Sequence, residues 1–92
     1  MLNSVNLIAT LKKVDEKNPK IRYCEITRPY QLLRKNEKDI DVIPLVNWNK
    51  DKIGELFTYK NNSIVSIGGR IETLDDRLVV VTEKIEYLGL KG

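Results

Sequence analysis

Two carboxylate pairs, Asp39-x-Asp41 and Asp75-Asp76, have the spacing to hold a divalent metal for nuclease-type chemistry. Turn chemistry accounts for the second pair, which lies in the polar run LDDR, and Asp39 falls in the polar stretch QLLRKNEKDID. The rest of the catalytic repertoire is thin. The chain has no histidine, which excludes hydrolytic triads and histidine-based proton transfer, and its single cysteine, Cys24, cannot supply a thiolate metal cluster. No glycine-rich loop of the P-loop type occurs either. The sequence therefore reads as that of a binding protein rather than an enzyme, with no metal or cofactor expected.

Cations are what the chain does hold. Between Lys12 and Lys38 lie nine basic residues and four acidic ones, a local net charge of +5, whereas the remainder is −2 and the whole chain +3. A cationic region of this kind favours a polyanionic partner, against the plainer reading of a solvated face of mixed charge. At 92 residues the chain has room for one domain, here residues 1–92. An apolar fraction of 41% beside 32% charged residues is that of a soluble globular protein, and no apolar run approaches a membrane span. MLNSVNLIATLKKV lacks the features of a secretory leader, and a lone cysteine fits a reducing compartment, so a cytoplasmic location is expected.

The elements that must position these cations read as strand, strand, strand, helix, strand, strand. In SVNLIATLKKV, Val5, Leu7, Ala9 and Leu11 alternate with Asn6, Thr10 and Lys12, and Ile8 interrupts an otherwise polar outer face. DEKNPK is a loop by its Asn-Pro step, and IRYCEITRPY is a second strand. DVIPLVNW is a third, in which Pro44 demands an edge position or a bulge. KDKIGELFTYK sets Ile53, Leu56 and Phe57 at helical spacing and predicts two to three turns, weakened by Gly54, with Phe57 in the core. SIVSIGGRIET and RLVVVTEKIEYL are the last two strands, joined through LDDR as a hairpin. This order predicts an all-β OB-fold: a five-stranded Greek-key barrel with one helix between strands three and four. Other small barrels, such as SH3-like folds, do not ordinarily place a helix there. The glycines of SIGGRI then mark the sharp bend that closes a small barrel.

The pieces MLNSVNLIATL, ITRPYQ, LVNWNKDKIGELFTYKNNSIVSIGGRIET and VTEKIEYLG resemble, in order and across nearly the whole chain, the bacterial single-stranded-DNA-binding protein family. The resemblance departs from the family pattern at DEKNPKIRY, which compresses the first loop, and at LDDR, where the family's loop is usually long. The sequence ends at GLKG without the acidic-tipped tail through which cellular members recruit other enzymes. A shortened, tail-less member fits these departures, as does a relative of the primosomal replication protein N.

The resemblance implies sequence-tolerant binding of single-stranded DNA, in replication, recombination or repair, by a homodimer or homotetramer assembled through the first strand. It places Trp48 at the family's base-stacking aromatic after strand three and Tyr30 at the aromatic ending strand two; the alternatives are a capping core residue and a loop anchor. Tyr23 is a third candidate whose strand parity is ambiguous, while Tyr87 reads as structural. Phosphate contacts are expected from Lys12, Lys13, Arg22, Arg28, Arg34, Lys35 and Arg70. The last alternates against Val65, Ile67, Gly69 and Ile71 and so points away from the core, free for a phosphate or paired with Glu72. RNA binding and a protein-interaction adaptor are the competing readings.

Overall fold

The computed structural model describes residues 2–28, 40–49 and 54–92. The alternating run at the start forms β1 (Val5–Val14), with Ala9 and Leu11 buried and Ile8 on the other face, 67% exposed. It is followed by β2 (Arg22–Thr27), β3 (Ile40–Asn47), the helix α1 (Glu55–Thr58), β4 (Ser63–Leu74) and β5 (Arg77–Leu90). The strands close into a barrel in the order β1-β2-β3-β5-β4, with β1 returning to β4. Four of the pairings are antiparallel, and β3 meets β5 in parallel. This is the expected five-stranded arrangement of the OB-fold, with its helix between β3 and β4.

The parallel seam explains how β3 tolerates a proline. Pro44 pairs with Tyr23 of β2, while β5 joins β3 only from Leu45 through Asn47. Among the described pairings Pro44 therefore lies where β3 is bonded on one side, the edge position its missing N–H requires.

The Gly68-Gly69 pair divides its labour. A Cβ on Gly69 would stand 1.8 Å from the carbonyl oxygen of Val81, whereas one on Gly68 would meet nothing closer than 3.6 Å. Gly69 faces Thr82 and Gly68 faces Lys84, so Glu83 is an extra residue in β5 and the ladder is bulged at this point. Glycine is thus required at 69, where the backbones of β4 and β5 approach at the bend. Beyond it β4 runs past the barrel as a long hairpin arm, so Ile71 is 40% exposed instead of sharing the buried side of Val65, Ile67 and Gly69. The arm turns through Asp75 and Asp76 at φ 50° and 66°, with Leu74 paired to Arg77, the two-residue hairpin in which both central residues take positive φ.

The helix is shorter than its apolar spacing predicts. Among the described residues it comprises Glu55–Thr58, because Gly54 at φ 120° lies outside helical conformation and starts it there. Ile53 of the predicted apolar triad lies outside the described residues. Leu56 is buried and Phe57 packs beside it against the barrel core of Ala9, Leu11, Cys24, Leu45, Val65, Ile67 and Val80. A second cluster, Ile21, Val46, Val79 and Val81, forms under Tyr23 and Leu74. Burial pushes the Cys24 thiol up to about 12, so it acts as a packing group. No helix among the described residues is long and apolar enough to cross a membrane.

Candidate nucleic-acid interface

Trp48 follows directly on β3, its backbone N–H donating to the carbonyl of Thr82 at 3.0 Å. That bond extends the parallel seam by one residue and fixes the backbone, while the indole is 65% exposed. The core-capping alternative is thereby removed. The ring borders an open groove of about 650 Å³ between Trp48, Asn49 and the start of α1 on one side and the outer wall of the barrel on the other. Asn6, Ser66 and Gly68 line it from β1 and β4, Lys84 and Glu86 from β5, and Asn49 and Glu55 from the side of Trp48. Two of its carboxylates are engaged: Glu83 accepts from Arg70 at 2.9 Å and Glu55 from the Tyr59 hydroxyl at 2.9 Å. The buried hydroxyl of Thr82, at the same groove, has no hydrogen-bond partner among the described residues. Amides, hydroxyls and carboxylates with one lysine suit the edge of a base better than a phosphate.

The predicted cations separate into groups. Lys12 and Lys13 lie with Tyr23 along a shallow groove of about 470 Å³ over β1 and β2. Lys12 donates to Asn62 Oδ1 at 2.7 Å and stands 3.8 Å from Glu25, and Lys13 stands 3.9 Å from Glu16. Such solvated pairs are weak and readily exchanged for a phosphate. Tyr23 is half-buried and already engaged. Its hydroxyl donates to Asp15, whose carboxyl is held well below the usual range first by that bond and then by the N–H groups of Asn18 and Lys17. The Arg77 guanidinium lies 5.8 Å from the centre of the Tyr23 ring, and the ring packs on the second cluster.

Arg22 corrects the sequence expectation. It is 3% exposed, so it cannot track a phosphate at the surface. Its Nε donates to the carbonyl of Lys12 at 2.8 Å, Nη1 to those of Leu56 and Tyr59 at 2.8 and 2.5 Å, and Nη2 to Asn61 Oδ1 at 3.0 Å. The planar fork ties β1 to the carbonyls that end α1 and to the turn beyond. Burial lowers its pKa from the usual arginine value.

Arg28 and Arg70 are held in ion pairs. Arg28 makes a two-bond contact with Asp41 at 3.0 and 2.6 Å, which also lowers the Asp41 pKa. Arg70 points outward as its parity requires and bridges Glu72 at 2.6 Å and Glu83 at 2.9 Å. Tyr30, Arg34 and Lys35 lie outside the described residues. Asp39 does too, and no cluster of metal-ligating side chains occurs among the described residues.

One feature was missed by reasoning from sequence. The rings of Tyr59 and Tyr87 lie 5.4 Å apart with their planes tilted by 37° at the rim of the barrel, and Tyr87 is 46% exposed. Strand alternation could not place Tyr87, because the bulge at Glu83 shifts the parity of everything after it. In comparison with known proteins, no family model and no curated relative matches the chain.

Proposed function

We propose that the protein binds single-stranded DNA, largely without sequence preference, by stacking a base on Trp48 and drawing the strand's phosphates to lysines such as Lys12 and Lys13. The observation that carries this reading is a two-thirds exposed indole on a closed OB barrel, beside a groove with the chemistry of a base edge. A large aromatic left in water forgoes the burial that would stabilise the fold, and stacking on a base recovers it. The role lies in DNA replication, recombination or repair in the cytoplasm. The exposed Ile8 on β1 supports a homodimer or homotetramer.

The test is a titration with oligo-dT, oligo-rU and duplex of equal length, followed by the emission of Trp48, the single tryptophan. Saturable quenching by oligo-dT, weaker with duplex, is expected, and log affinity falls against log salt by roughly 0.7 for each phosphate contacted. Equal quenching by oligo-rU assigns the protein to RNA as well. No response to any of the three, with Trp48 exposed, favours the adaptor reading, in which Trp48 anchors a protein partner.

A further inference from the structure

Tyr59 and Tyr87 border a recess of about 370 Å³ together with Thr58, Lys60, Ser63 and Leu90. No carboxylate is part of that lining, and Glu55 accepts a hydrogen bond from the Tyr59 hydroxyl. The turn beside it includes Lys60 and is tied to the backbone of Lys91 and to the side chain of Lys12. The N–H of Ser63 donates to the Lys60 carbonyl at 3.1 Å, that of Lys91 to the Asn62 carbonyl at 2.8 Å, and Lys12 Nζ to Asn62 Oδ1 at 2.7 Å. Among the described residues Lys60 and Lys91 have no ion-pair partner. An aromatic face close to two lysines without ion-pair partners among the described residues is complementary to a base and its flanking phosphates.

The recess lies near the groove at Trp48. Glu55 and Leu56 border the groove and Thr58 and Tyr59 the recess, so a single helical turn of about 6 Å separates them, against the same strand β5. We propose that the Tyr59–Tyr87 pair is a second stacking platform, on which the strand held at Trp48 places a further base, with Lys60 and Lys91 holding its phosphates. The inference rests on the single-strand reading. It assigns the tyrosines a role beyond packing: the tilted ring of Tyr59 backs Tyr87, whose outer face is left for the base.

The experiment compares oligo-dT of about 4 and about 16 nucleotides, the two ends of the range for one OB barrel. Tyr87→Ala is expected to weaken the long oligonucleotide by about five- to 150-fold, the range for one stacked base, and to leave the short one unchanged, because Trp48 alone holds it. Tyr87→Phe restores the wild-type affinity. Lys60→Gln with Lys91→Gln flattens the log–log salt dependence for the long oligonucleotide by about 1.4, and this pair carries the test should Tyr87→Ala not fold. Undiminished binding of the long oligonucleotide by folded Tyr87→Ala, or an unchanged salt slope in the lysine variant, overturns the proposal. The single-strand reading fails separately, if Trp48→Ala binds both lengths like wild type.

Discussion

Alanine at position 69 is expected to destabilise the protein by about 3 kcal/mol or more, whereas alanine at position 68 is tolerated. The added Cβ at 69 would lie 1.8 Å from the Val81 oxygen and 2.9 Å from the Val81 carbonyl carbon, both backbone atoms. No rotamer change relieves that clash, so β5 must move away from β4 at the bulge on which the barrel bends. At 68 the nearest atoms, Asn6 Oδ1 and Lys84 Cβ, stand at ordinary contact distances of 3.6 and 3.8 Å. There the methyl restricts the unfolded chain and is neutral or stabilising by up to about 1 kcal/mol. Thermal melts distinguish the two. For a domain of this size the loss at 69 is a fall of roughly 12 °C or more, and equal melting of the two variants would contradict the assigned bend.

Arg22→Ala is expected to cost roughly 3 to 5 kcal/mol, because it removes a buried guanidinium with four hydrogen bonds rather than a surface charge. The carbonyls of Lys12, Leu56 and Tyr59 and the amide oxygen of Asn61 all lose their donor, and the methyl of alanine returns none. Lysine does not rescue the position, since one ammonium on a flexible stem cannot reach acceptors on three segments at once. The check is the urea midpoint of the variant against wild type. A phosphate ligand at 22 would give the opposite pattern, reduced affinity with unchanged stability.

Arg22 also shows where sequence reasoning stopped short. Cys24 and Ile26 share its side of β2, so alternation alone places it inward, yet a guanidinium reads as a surface group until four acceptors are seen around it. Those acceptors come from β1, from the end of α1 and from the turn beyond. Their meeting is a product of closure, with separations up to 39 residues along the chain. Local pattern sufficed where local physics decides: the alternation of β1, the constraint on Pro44 and the outward direction of Arg70 are all as expected. It failed at Tyr87, where the bulge at Glu83 resets parity, and at Ile71, where β4 runs past the barrel. The helix is a case between, since the apolar spacing located it but Gly54 set its start. Exposure of Trp48 was open in the sequence because Val46, two residues earlier on the same side, is buried under the β5 arm. Coverage ends between the two residues, and only the assembled barrel reveals that.

The affinity of Trp48→Ala for single-stranded oligo-dT tests the central claim most directly. Its indole is mostly in water and its backbone tie to Thr82 survives truncation, so the variant folds and melts like wild type. Binding is expected to weaken by about 1 to 3 kcal/mol, or five- to 150-fold, the loss of one stacked base. Wild-type affinity in the folded variant would contradict the claim that Trp48 is where the strand is held.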